Sequence, residues 1–123
     1  MVVTDEAGLV SSLQELVGDG LRVVATFDRS GYDVLFSRND VAARLHERGP
    51  AVHDDLVLQG LGLDHLEDLF GAGDLECSMH RFDEATVFHF RADEFSGLFV
   101  SIDSESDVQL VTFADTCVAS MDG

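Results

Sequence analysis

The sequence predicts an α/β domain of the α+β kind: a five-stranded antiparallel sheet flanked by helices, in the order α-β-β-α-α-β-β-β-α. Three observations carry this expectation. Apolar residues recur at helical spacing near both ends of the chain. A run rich in β-branched and aromatic residues around an Asp-Arg-Ser-Gly turn reads as a hairpin, and three further strand-like runs follow one another across short acidic turns, as a meander requires. At 123 residues the chain has the common size of one domain, so 1–123 reads as a single unit.

The first helix is expected over Thr4 to Val17, where Leu9, Val10, Leu13, Leu16 and Val17 fall on one face, with Thr4 as its cap and Gly18 as its stop. Leu21 to Arg38 then gives two strands around Asp28-Arg29-Ser30-Gly31, with Gly31 free to take a positive φ. In the first strand Val23, Ala25 and Phe27 share one face, expected to be the drier, and Arg22, Val24, Thr26 and Asp28 share the other. Asn39 is placed to cap a short helix that ends at Gly49-Pro50, and a second helical stretch over Ala51 to Phe70 is expected to break at Gly60 and Gly62. Beyond Gly71-Ala72-Gly73 come strands over Leu75 to Phe82, Thr86 to Arg91 and Leu98 to Asp103, and a closing helix over Asp107 to Ala119. Thr86, Phe88 and Phe90 align on one strand face, which reads as a surface packed under a helix.

Charge is the most unusual property of the chain. Asp and Glu number 24 against seven basic residues, all of them Arg, for a net charge of −17. At ordinary ionic strength such a charge opposes the compact state. In about 1 M salt the Debye length falls to roughly 3 Å and most of the repulsion disappears. The composition resembles that of cytoplasmic proteins from salt-in halophilic archaea, so a cytoplasmic location in concentrated salt is expected. The same charge argues against direct binding to nucleic acid or to an acidic membrane, since phosphate contacts need clustered cations and the Arg residues are scattered. No stretch is long and apolar enough to span a bilayer. Cys77 and Cys117 lack paired spacing and read as buried free thiols.

Motifs for chemistry are absent. Cys77, Met79, His80 and His89 fall within one predicted hairpin, but Cys77 and Met79 point to one strand face and His80 to the other, so no metal site is expected. Asp54-Asp55 and Glu67-Asp68 arise readily among so many carboxylates and read as solvated surface. No nucleophile elbow, phosphate loop or calcium loop occurs, so no cofactor is expected and the chain reads as a non-enzyme.

The stretches Val23 to Ser37 (VVATFDRSGYDVLFS) and Phe95 to Ser106 (FSGLFVSIDSES), together with the element order, resemble the roadblock/LC7 domain and its profilin-like relatives. The chain also resembles the small acidic haloarchaeal families of unknown function. The roadblock resemblance implies a non-catalytic regulatory or scaffolding module that acts as a homodimer or binds a protein partner such as a small GTPase or a signalling protein. It implies an interface on the crossover helix and a strand edge, carried by Val41, Leu45, Leu56, Leu63, Leu66, Phe70, Leu75, Cys77 and Met79. Two other readings stand beside it: a PAS-like sensor in which Phe82, Phe88, Phe90 and Cys117 line a pocket between sheet and helix, and an enzyme with a dispersed active site.

The charge yields a direct expectation. Circular dichroism should show loss of structure as KCl falls from molar to millimolar concentration; a full cooperative thermal transition in low salt would remove the salt-adaptation reading.

Overall fold

The computed structural model describes residues 2–121. It contains α1 (Glu6–Val17), a 3-10 turn (Gly18–Gly20), β1 (Leu21–Asp28), β2 (Gly31–Ser37), α2 (Asn39–Phe70), β3 (Cys77–Arg81), β4 (Ala85–Arg91), β5 (Gly97–Asp103) and α3 (Leu110–Ser120). The strands form one antiparallel sheet in the order β2-β1-β5-β4-β3. The five strands and their order along the chain are as expected from the sequence.

The sheet is covered on both faces. On one side α1 and α3 pack against it through a core of Leu9, Leu13, Val24, Phe88, Phe90, Leu98, Val100, Phe113 and Cys117, all buried. Phe113 reaches down from α3 to within 4.6 Å of the Phe88 ring, centroid to centroid, so the aligned phenylalanines do lie under a helix. On the other side α2 packs over a smaller cluster of Val23, Ala25 and Val41, with Leu45 and Phe99 against it. Central position, between β2 and β5, therefore buries both faces of β1, and Val24 and Thr26 are as enclosed as Val23 and Ala25. The expected difference between its faces does not occur.

Local chemistry departs from expectation at three turns. The cap of α1 is Asp5, whose carboxylate accepts from the Gly8 N–H at 3.0 Å. Thr4 instead joins the two ends of the domain, its N–H donating to the Ser120 carbonyl beside a Val3–Met121 bridge. In the β1–β2 turn Gly31 has no positive φ; the Asp28 carboxylate closes the turn by accepting from the N–H groups of Ser30 and Gly31 and from the Ser30 hydroxyl. Arg38 precedes α2 as its cap residue without a side-chain capping bond, which leaves Asn39 as the first helical residue.

The largest departure is α2, one continuous helix of 32 residues that runs through Pro50, Gly60 and Gly62. Val41, Leu45, Gly49, Leu56, Gly60 and Leu63 fall on one face only if the helix is unbroken. Val41, Leu56 and Leu63 are buried, and each such burial contributes roughly 1.5–3 kcal/mol. Together they exceed the ~3 kcal/mol that an interior proline costs. Gly49 and Gly60 are points of close approach rather than breaks. A Cβ at Gly49 would meet the Tyr32 hydroxyl, and one at Gly60 would run into the Glu94 backbone carbonyl in the β4–β5 loop. Gly71, at φ 59°, ends the helix, its N–H donating to the Glu67 carbonyl.

A polar clasp holds the start of α2 to the sheet. Arg38 donates from Nη1 to Asp103 Oδ2 and to the Asp19 carbonyl, both at 2.8 Å, and from Nε to Asp40 at 2.6 Å. Arg22 adds a longer contact to Asp103 at 3.4 Å. The Arg38 guanidinium holds the carboxyls of Asp103 and Asp40 below the usual carboxylate range and is itself pushed up.

The two helix glycines separate close approach from mere flexibility. Gly60→Ala should destabilise the fold by about 1–3 kcal/mol, because the carbonyl it meets belongs to the backbone. Gly62→Ala, with open space around it, should stabilise by roughly 0.5–1 kcal/mol. Chemical denaturation of both variants checks the pair; equal effects would contradict the close approach at Gly60.

Candidate functional site

The most distinctive exposed feature is the combination of an open sheet edge with an overlong helix. β3 is an edge strand, paired only to β4 through Cys77–Phe90, Met79–Phe88 and Arg81–Thr86. Its outer backbone groups face no other strand among the described residues, and Met79 is exposed. A short exposed edge of this kind is a template for pairing with another chain.

On the opposite face, α2 is about 48 Å long at ~1.5 Å per residue, whereas five strands at ~4.8 Å spacing span only about 19 Å. Its second half is moored near the β4 end of the sheet. Arg91 pairs with Asp64 and, at 3.2 Å, with Glu67; Glu67 also accepts from the Leu75 N–H at 2.5 Å. Beyond this mooring the inward stripe Gly49, Leu56, Leu63, Phe70, spaced by sevens, outruns its cover: Leu56 and Leu63 are buried, yet Phe70 is 74% exposed. The outer side of the same half carries Leu58, Leu61 and Leu69, each at least 60% exposed. A soluble helix does not ordinarily turn a row of leucines to water.

Of the nine interface residues expected from the sequence, Val41, Leu56 and Leu63 are buried inside the chain's own helix–sheet contact, and Leu45, Leu75 and Cys77 are half-buried. Leu66, Phe70 and Met79 remain exposed. Leu58, Leu61 and Leu69 were missing from that set. Their spacing places them together opposite the buried stripe, a signal available once the helix is read through Gly60 and Gly62.

The strands separate the residues considered for a metal. Met79 and Cys77 stand opposite Phe88 and Phe90 on the α1–α3 side, while His80 and His89 belong to the other side. Among the described residues no three His, Cys, Asp or Glu side chains are grouped to hold a metal ion. Burial pushes the Cys77 thiol up to about 11 and the Cys117 thiol up to about 12, which disfavours the nucleophilic thiolate. Asp54 and Asp55 are exposed, and Glu67 is committed to Arg91 and Leu75. Phe88, Phe90 and Cys117 lie in packed core, and Phe82 is exposed. A cavity of about 160 Å³ lies on the other face, under the first half of α2.

His89 is the one buried imidazole. Its ring meets Phe27 edge-on at 5.2 Å, its Nδ1 is buried without a partner, and burial, aided by the charges of Arg91 and His80, lowers its pKa from 6.5 to about 4. No carboxylate activates it, so it is placed as a core residue.

A family model, Domain of unknown function (DUF7522), matches residues 7–122. No curated protein matches the chain. Among solved structures, the chain is similar to a roadblock/LC7 domain from Streptomyces avermitilis, with 18% identity over 91% of this chain and 88% of that one and a TM-score of 0.59. It is similar also to MglB of Myxococcus xanthus, 14% identical over 97% and 91% of the two chains with a TM-score of 0.57. The gliding protein MglB from Thermus thermophilus is 16% identical over 94% and 86%, with a TM-score of 0.56. At these identities the likeness is one of fold, and the five-stranded sheet between α2 and the α1–α3 pair is a roadblock/LC7 fold. No helix among the described residues is long and apolar enough to cross a membrane.

The depressed pKa of His89 predicts a pH dependence. Between about pH 6.5 and 4 the unfolded chain binds a proton at His89 that the folded chain does not, so the contribution is intact above 6.5 and is lost as pH falls toward 4. Urea unfolding across pH 4–8 should show a shallower acid decline for His89→Phe than for wild type; identical slopes would contradict the buried neutral imidazole.

Proposed function

We propose a function from this premise: the chain belongs to the DUF7522 family and carries a roadblock/LC7 fold. The reading is that of a non-catalytic regulatory or scaffolding module, adapted to concentrated salt, which works as a dimer and offers its paired surface to a protein partner such as a small GTPase or signalling protein. The observation that carries it is the open β3 edge at the same end of the sheet as the unburied apolar end of α2. Two copies related by a two-fold axis at β3 would continue the sheet across the interface, satisfying the outer backbone groups of both edges. The same operation would bring the ends of the two α2 helices side by side, removing Leu66, Leu69 and Phe70, exposed along one flank of that end, from water. Covering such residues at roughly 25 cal/mol per Å² supplies a driving force that rises with screening, since the carboxylates around them repel less in high salt.

Two of the structures similar in fold are MglB proteins, and a further one, at 16% identity, is MglB with a tetrameric arrangement. A protein of this shape therefore assembles with copies of itself. That precedent supports the proposal that this chain assembles too, without specifying the partner.

Light scattering coupled to size-exclusion chromatography in about 2 M KCl, a salt range where screening is nearly complete, should give a discrete dimer. Leu69→Asp with Phe70→Asp, both largely exposed at the end of α2, should give a folded monomer. A wild-type monomer at micromolar concentration, or a double variant that still dimerises fully, would overturn the arrangement.

A further inference from the structure

We propose that the cavity beneath the first half of α2 is a binding site for a small organic monocarboxylate with a short apolar tail. The cavity lies between α2 and the sheet, with Val23, Ala25, Phe27, Val41 and Leu45 among the apolar side chains that line it. Its volume of about 160 Å³ is well below that of most drug-sized sites. It is close to the ~150 Å³ of an apolar cavity that admits a benzene molecule, so the tail is one ring or a chain of on the order of six to eight carbons.

The charge at this cavity is the reverse of the charge of the chain. Of the seven Arg in the sequence, Arg22, Arg44 and Arg48 all line it. Elsewhere the arginines are engaged: Arg38 by Asp40 and Asp103, Arg91 by Asp64 and Glu67, Arg29 over the Phe95 ring and Arg81 at the Ser104 carbonyl. Arg44 and Arg48, one helical turn apart on α2, have no carboxylate within ion-pair distance among the described residues. That is unexpected in a chain with 24 carboxylates, where a solvated arginine has many acidic neighbours to choose from. Arg22 reaches Asp103 only at 3.4 Å, and its Nε is buried without a hydrogen-bond partner.

Apolar walls and unpaired guanidinium groups together define the ligand. The tail enters the space under α2, and the headgroup stays at the rim, where the planar forks of Arg44 and Arg48 match a carboxylate in geometry and charge. An amine of the same length would meet three cations. A neutral alcohol would fill the same space and gain no charged hydrogen bond. The site is independent of the β3 edge and of the dimer proposed above, because its lining residues come from β1, β2, β5 and the first half of α2.

The test is isothermal titration of the full chain in about 2 M KCl with octanoate, 1-octanol and octylammonium. Octanoate should bind saturably and at least about tenfold more tightly than 1-octanol, the size expected for one charged hydrogen-bonded contact, and octylammonium should not bind. Arg44→Gln with Arg48→Gln, both exposed and unpaired and therefore neutral to folding, should bring octanoate down to the affinity of 1-octanol. Val52→Trp at the rim should weaken both. Equal binding of octanoate and 1-octanol to wild type, octanoate affinity unchanged in the double Arg variant, or no saturable binding at millimolar octanoate would each overturn the site.

Discussion

The close approach of α2 to the sheet is the constraint on which the remainder of the molecule depends. Where the helix crosses the β4–β5 loop there is no room for a Cβ at Gly60, and this contact sets the height at which the whole helix lies. At that height Val41, Leu56 and Leu63 reach buried positions and Arg91 can join Asp64 and Glu67. The first half of the helix, which starts at the Arg38 clasp and must clear the Tyr32 ring at Gly49, is left standing over a small unfilled space. Cavity, mooring and overhang are thus consequences of laying one long helix over a narrower sheet.

Charge is distributed with a division of labour. Most carboxylates are exposed and act collectively, through net charge and its screening. A few act individually as clasps, and each clasp uses an arginine to tie segments that are far apart in sequence: Asp103 to Arg38 at the β5 and β2 ends, Asp64 to Arg91 between α2 and β4. With no Lys in the chain, the clasps among the described residues rely on a planar guanidinium that can serve two or three acceptors at once. Such ties are partly shielded from solvent, and salt weakens them less than it weakens the general repulsion.

Strands were legible in the sequence because their signals are local: alternation in Thr86, Phe88 and Phe90, and a turn written by Asp28, Ser30 and Gly31. The Asp28 carboxylate bonds to its own neighbours, so no distant residue decides that turn. The middle of the chain was not legible in the same way. Gly49, Pro50, Gly60 and Gly62 carry the local signature of breaks; what overrides it is the burial of Val41, Leu56 and Leu63 against the sheet, and Gly49 and Gly60 are there because Tyr32 and the Glu94 carbonyl leave no room for a Cβ. The exposed face of α2 followed the same fate, since Leu58, Leu61 and Leu69 form a row only on an unbroken helix. The cavity with its arginines was out of reach for a related reason: Arg22 and Arg44 come together through the crossing of α2 over β1, and nothing in their spacing announces it.

The position of β1 also governs the order in which the chain can close. Its first edge pairs with β2, adjacent in sequence, but its second edge pairs with β5, from Leu21 against Ile102 to Phe27 against Gly97. During synthesis the hairpin and α2 can form while the rest of the chain is still on the ribosome, yet β1 must wait for the final fifth of the polypeptide to cover its other side. In that interval β1, most of whose residues are buried in the finished fold, has one free edge and one uncovered face. Only β5 closes that edge, and because concentrated salt screens the repulsion among the carboxylates, the nascent chain cannot rely on charge to keep neighbouring copies apart until it arrives.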